Sequence, residues 1–83
     1  MKIPKIQDIK ILNEHLMLVE FSDGSKKRYD ISPLLKKDMF APLRNFAFFK
    51  NCHIEPGGYA VVWNADIDIS EYEIWRNGET VIQ

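Results

Sequence analysis

Leu16-Met17-Leu18-Val19-Glu20-Phe21-Ser22-Asp23-Gly24-Ser25-Lys26-Lys27-Arg28-Tyr29-Asp30-Ile31 is the stretch on which the fold turns. Two runs of β-compatible residues flank Asp23-Gly24, and Asp-Gly tolerates the positive φ angles of a tight hairpin turn. Residues 16–21 and 26–31 are therefore predicted as the arms of an antiparallel hairpin. Loop length then decides the faces, because a one-residue slip moves every side chain across the sheet. A two-residue Asp23-Gly24 loop sets Phe21 opposite Lys26, Val19 opposite Arg28 and Leu18 opposite Tyr29. One face then carries Leu16, Leu18, Tyr29 and Ile31, with a Glu20–Lys27 pair near the turn. The other carries Met17, Val19 and Phe21 beside Lys26 and Arg28. A bulged loop with an odd number of residues instead places Val19 and Phe21 with Tyr29. Both registers stay open at this point.

Upstream, residues 5–12 alternate, with Gln7, Ile9 and Ile11 on one side and Asp8 and Lys10 on the other, so another strand precedes the hairpin. Downstream, Ser32-Pro33 reads as a cap followed by proline at the first helical position, opening a short turn over residues 33–37. Pro42 opens a second such turn, and Asn45 is the expected N-cap of a helix over residues 46–51. Phe40, Leu43, Phe46 and Phe49 read as the apolar side of these turns packing on a sheet. Residues 52–55 and 59–64 form a second hairpin around Pro56-Gly57-Gly58. Asp66-Ile67-Asp68-Ile69 alternates acid with isoleucine. Ser70 followed by Glu73 fits a capping box that opens a helix to about Arg76. Asn77-Gly78 is expected to stop that helix in the left-handed conformation. Residues 79–83 are left as a short edge strand or a frayed end. The expected fold class is α+β: about four to five strands in antiparallel hairpins, packed against short helices in one domain over residues 1–83.

Composition narrows the function classes. Eighty-three residues leave little room for a large internal pocket. Eleven basic against twelve acidic residues give a formal net charge of -1. A nucleic-acid binder of this size usually carries a basic excess, so Lys26, Lys27, Arg28, Lys36 and Lys37 support only a second reading, that of a nucleic-acid-binding or regulatory accessory domain. Cys52 is the only cysteine, which excludes an intramolecular disulfide and makes a reducing compartment the default. No apolar span and no signal-peptide pattern is seen, and a cytoplasmic protein away from membranes is expected.

The chemistry-bearing residues do not assemble into a motif. Cys52 and His53 are adjacent and point to opposite faces on a strand, His15 lies in another loop, and no Cys-x-x-Cys or His-x-x-x-His spacing exists. Asp66 and Asp68 share a strand face, but two carboxylates alone bind a hard cation weakly. Glu71 and Glu73 are expected to face water. No catalytic, metal or cofactor residue is therefore assigned, and no enzyme is expected. A third reading, a small-ligand binder or enzyme, needs Asp66, Asp68, His53 and Trp63 to converge. The leading reading is a non-enzymatic protein-interaction module. Its expected surface is Met17, Val19, Phe21, Lys26 and Arg28 together with Trp75, which is expected to be more exposed than Trp63. A homo-oligomer is compatible with this reading.

Phe21-Ser22-Asp23-Gly24, Asp30-Ile31-Ser32-Pro33-Leu34-Leu35, Phe40, Pro42-Leu43, Pro56-Gly57-Gly58, Val62-Trp63 and Asp66-Ile67-Asp68-Ile69 follow one another in an order that resembles the bacterial domain-of-unknown-function family 2442. The resemblance runs from about Leu16 to Gly78. It implies a compact α+β domain, to which some members add a helix-turn-helix. It also implies a small protein partner, since members are often encoded beside another small protein in an arrangement similar to toxin–antitoxin pairs. This chain is then expected to be the antitoxin-like member. The family has no catalytic residues to carry over. With Gln83 as its last residue, the chain shows no helix-turn-helix, so a DNA-binding role is not carried over either.

Overall fold

The computed structural model of the chain describes residues 2–82. Strands β1 (Ile6–Asn13), β2 (Leu16–Phe21) and β3 (Lys26–Asp30) form a meander, and β7 (Glu79–Thr80) closes its far side, giving one antiparallel sheet ordered β1-β2-β3-β7. A second antiparallel sheet holds β4 (His53–Ile54), β5 (Ala60–Asn64) and β6 (Ile67–Ser70) in that order. Two 3-10 helices, Ser32–Lys36 and Asp38–Arg44, and helix α1 (Phe46–Phe49) lead from the first sheet to the second, and α2 (Glu71–Asn77) leads back. The class is α+β, with seven strands among the described residues where about four to five were expected. The two-residue strands β4 and β7 fall within residues 52–55, expected as a hairpin arm, and residues 79–83, left as an edge strand or a frayed end.

The central hairpin adopts the odd-numbered loop. Phe21 N–H donates to Ser25 C=O at 2.8 Å and Gly24 N–H donates to Phe21 C=O at 2.9 Å, enclosing Ser22, Asp23 and Gly24. Gly24 takes φ 89°, the left-handed bulge position that a three-residue loop requires. The Asp23 carboxylate accepts from both the hydroxyl and the backbone N–H of Ser25, and these bonds hold it below the usual carboxylate range. Met17 then pairs with Tyr29, Val19 with Lys27 and Glu20 with Lys26. This register gathers Met17, Val19, Phe21, Tyr29 and Ile31 on one face, all buried. Each such side chain gains about 1.5–3 kcal/mol from burial. A two-residue loop would leave Met17, Val19 and Phe21 in water and turn the Glu20–Lys27 pair inward, so burial selects the longer loop.

The same face receives Ile6 from β1, Phe40 and Leu43 from the second 3-10 helix, Phe49 from α1, Val61 and Trp63 from β5, and Ile74 from α2. Phe49 stacks on Trp63 with ring centroids 6.1 Å apart, and the Trp63 indole N–H donates to Phe49 C=O at 2.8 Å. In β6 the alternation is clean, with Ile67 and Ile69 inward and Asp68 outward.

The caps follow the expectations in part. Asn45 accepts from Phe48 N–H, and Ser70 accepts from Glu73 N–H at 3.1 Å. Ser32 is no cap; its own N–H is taken by the Asp30 carboxylate at 2.8 Å, and the helix runs Ser32–Lys36. Pro42 lies inside the second 3-10 helix instead of opening it. Phe46 turns outward and is 40% exposed, with the Lys50 ammonium 4.9 Å from its ring, because a helix of one turn directs Phe49, and in part Phe48, to the core and leaves Phe46 on the far side. Gly78 ends α2 in an extended conformation, φ −73°, ψ 152°, not the left-handed one. Its glycine is required by close approach: a Cβ there would lie 2.6 Å from Ile74 C=O and 3.0 Å from the Lys27 Cβ.

Candidate interaction site

The expected interaction face is split by the observed register. Met17, Val19 and Phe21 have no exposed surface, so they form the core and not a docking face. Lys26 and Arg28 point the other way, opposite Glu20 and Leu18 on the outer face of the sheet. Trp75 is half-buried, set edge-on against Phe21 at 5.1 Å between centroids. The middle residue of the basic run, Lys27, is turned to the core side, where its ammonium lies 5.0 Å from the Trp75 ring and donates to Thr80 Oγ1 at 2.8 Å. Arg28 faces Glu79 at 3.7 Å. The five basic residues thus do not form one surface.

The residues of the small-ligand reading are also kept apart. Trp63 sits in the core, while His53 and Asp68 flank Val62 from either side of β5 on the opposite face. Among the described residues no three His, Cys, Asp or Glu side chains come together as a metal-binding group. Cys52 is half-buried, and burial pushes its thiol up.

Two adjoining clefts of about 380 and 390 Å³ share Tyr29, Leu34 and Glu73 in their walls. Glu73, expected in water, is half-buried and accepts from the Tyr29 hydroxyl at 2.9 Å and from Asn77 Nδ2 at 2.9 Å. Burial, and then the Glu73 carboxylate, push the Tyr29 phenol well above its ordinary value. Glu71 is likewise half-buried, 3.5 Å from the Lys5 ammonium. Asp30 closes one end of the second cleft. Burial works against its carboxylate, yet hydrogen bonds from Ser32 and His15 hold it below the usual range. These groups already satisfy one another, so the clefts read as tie points between β3, α2 and the first 3-10 helix.

Among the described residues, the edge of β1 carries backbone groups without a hydrogen-bond partner, although β4 lies in contact beside it. In β2, Phe21 bonds to Ser25 and His15 C=O accepts from Ile31 N–H, so the odd-numbered residues of β2 direct their backbone groups to β3. The even-numbered ones bond to β1, where Asp8 faces Glu20 and Lys10 faces Leu18. Ile9 and Ile11 must then point their N–H and C=O groups away from the sheet. Among the described residues neither has a hydrogen-bond partner on that side; only Ile6 N–H, at the start of the edge, is taken, by Gly58 C=O at 2.9 Å. Ile9 and Ile11 are half-buried, while Gln7, Asp8, Lys10 and Leu12 are exposed. At eight residues β1 is the longest strand described, and the opposite edge of its sheet is the two-residue β7. Register shifts between Ile6 and Asp8 and between Ile11 and Asn13 bound its regular stretch.

This edge was missed in the sequence because strand pairing is set by residues distant in the chain: β4 lies beside β1 without a described backbone bond to it. Its one local sign was Asp8-Ile9-Lys10-Ile11, in which opposite charges alternate with isoleucine. No described helix is long and apolar enough to cross a membrane. Compared with known families, the chain matches the model described as "Protein of unknown function (DUF2442)" over residues 6–80. Neither the curated proteins nor the solved structures give a match.

Proposed function

The chain belongs to the DUF2442 family, and from that premise we propose that it is a non-enzymatic protein-interaction module whose partner adds a strand along the outer edge of β1. The supporting observation is the row of free backbone groups at Ile9 and Ile11. A strand edge with unbonded backbone groups is a template for an extended segment: main-chain bonds supply affinity and alternate side chains supply selectivity. The partner is a small bacterial protein met in the cytoplasm, with this chain as the antitoxin-like member of the pair. That assignment draws on the family resemblance. The edge supplies a place for the contact.

Ile9→Pro tests the reading. Proline removes an N–H that is unused within the chain and is tolerated on an edge strand, so folding persists while strand addition is blocked. Tagged wild type and Ile9→Pro are purified from native cells at low and high salt, with mass spectrometry of what is retained. A stoichiometric small protein held by the wild type at high salt and lost from Ile9→Pro is the expected result. Equal retention by both overturns the edge as the docking site.

A further inference from the structure

We infer that the face shared by the N-terminal segment and α2 binds single-stranded nucleic acid, with phosphates on Lys2, Lys5 and Arg76 and a base stacked on Tyr72. The inference stands apart from the β1 edge and goes beyond the protein-interaction reading. Three cations on this face each meet an aromatic side chain. The Lys5 ammonium lies 4.2 Å from the Tyr59 ring centroid and that of Lys27 lies 5.0 Å from the Trp75 ring. Arg76 Nη1 donates to the Tyr72 hydroxyl at 3.0 Å. These pairs lie side by side. Ile3, Tyr72, Trp75 and Arg76 line a cleft of about 390 Å³, and a second cleft of about 350 Å³ shares Ile3 and runs along residues 2–5 to Ser22 and Asp23. Glu71 N–H donates to Tyr59 C=O at 2.9 Å, which sets Tyr59 beside the start of α2.

The charge of this face departs from that of the chain. The whole carries a formal net charge of -1, yet here Lys2, Lys5, Lys27 and Arg76 meet two carboxylates, Glu71 and Asp23. Among the described residues, Lys5 is the one cation of the four with a carboxylate in ion-pair range, Glu71 at 3.5 Å. Asp23 is taken by Ser25, and Lys27 by Thr80. Lys2, Lys5 and Arg76 are left to face phosphates. Cations interleaved with aromatic rings suit a single strand: the cations follow the backbone, and a ring accepts a base face whatever the base. Tyr59 is engaged by Lys5 and by the backbone of Gly57, where a Cβ would lie 2.6 Å from the ring. Trp75 is engaged by Lys27 and Phe21. Tyr72, 51% exposed, is the ring that remains for a base. An acidic peptide would use the cations but not this ring. In a duplex the bases are already stacked on one another, so the face fits an unpaired strand.

Fluorescence anisotropy is measured with labelled single-stranded RNA and DNA of about 12 nucleotides, and with the DNA duplex, from roughly 20 to 200 mM salt. The wild type is expected to bind a single strand with Kd of roughly 10–100 μM at low salt. Its log–log salt slope is expected near about −2, the value for three phosphates on a single strand. The duplex is expected to bind more weakly. Tyr72→Leu should weaken binding by about tenfold, while Tyr72→Phe, which keeps the ring, should match the wild type. Arg76→Gln should flatten the salt slope by about 0.7. Lys36→Gln and Lys37→Gln, exposed and outside this face, should leave affinity and slope unchanged. Circular dichroism confirms that each variant is folded. Absence of binding to either strand at low salt overturns the inference, as does a duplex bound as tightly as the strand. Binding that Tyr72→Leu leaves intact and that polyglutamate displaces as readily as RNA also overturns it, and gives the face to an acidic peptide.

Discussion

Tyr29→Phe removes one oxygen at the junction of β3 and α2, and the structure sets the size of the loss. Tyr29 is 4% exposed, and its hydroxyl donates to Glu73 Oε2 at 2.9 Å. A hydrogen bond to a charged group contributes about 1.5–3 kcal/mol. Glu73 is only half-buried and keeps its bond from Asn77, so the lower end applies, about 1.5 kcal/mol. For a domain of this size each kcal/mol moves Tm by about 4–8 °C, so a drop of roughly 6–12 °C is expected in thermal melts. Phenylalanine leaves no buried donor behind, which makes the measurement clean. A double-mutant cycle with Glu73→Gln should return a coupling of about 1 kcal/mol. The pH dependence has a definite sign. The folded-state pKa of Tyr29 is raised above its ordinary value of 10.0, so the stabilisation is complete below that pH and is lost as pH climbs toward the folded-state value. Wild type should thus lose stability above about pH 10 more steeply than Tyr29→Phe. Coupling below about 0.3 kcal/mol together with parallel alkaline limbs would refute the proposed tie between strand and helix.

Val19→Glu places a charge where no surface is exposed. It should destabilise by about 4 kcal/mol or more, comparable with the whole stability of a small domain at roughly 0.05–0.15 kcal/mol per residue. Leu18→Glu, one residue away and flanked by Lys10 and Arg28 on the outer face, should change urea midpoints little. Ser70→Ala should cost about 1 kcal/mol through loss of the α2 cap, read as a lower urea midpoint with unchanged slope. Cys52 in the native state should react with a small alkylating reagent at pH 8 more slowly than after unfolding, because burial both screens the thiol and raises its pKa.

How far the sequence carries can be argued from particular residues. Asp23-Gly24 announced the hairpin because a positive φ has few causes, and Gly24 does carry it. The register stayed open because loops of two and three residues use the same dipeptide, and the choice depends on summed burial across Met17, Val19, Phe21, Tyr29 and Ile31. The assignment of Met17, Val19 and Phe21 to an interaction surface fell with that choice. Ser70 and Asn45 were legible as caps because capping is local. Gly78 was misread because its glycine answers to close approach, to the Ile74 C=O and to Lys27, a residue fifty-one positions earlier in the chain, and not to a left-handed φ. Glu73 was expected in water for a similar reason, since the Tyr29 hydroxyl that binds it comes from a distant strand. The β1 edge belongs to the same class of non-local facts.

Amide hydrogen exchange along β1, followed by NMR without and then with the purified partner, addresses the docking edge most directly. In dilute solution Asp8 and Lys10, bonded to β2, should be protected while Ile9 and Ile11 exchange freely. On association Ile9 and Ile11 should gain protection with Asp8 and Lys10 unchanged. Protection of Ile9 and Ile11 already present in the dilute monomer, or its continued absence in the partner complex, would contradict the assignment of β1 as the site where this chain is joined.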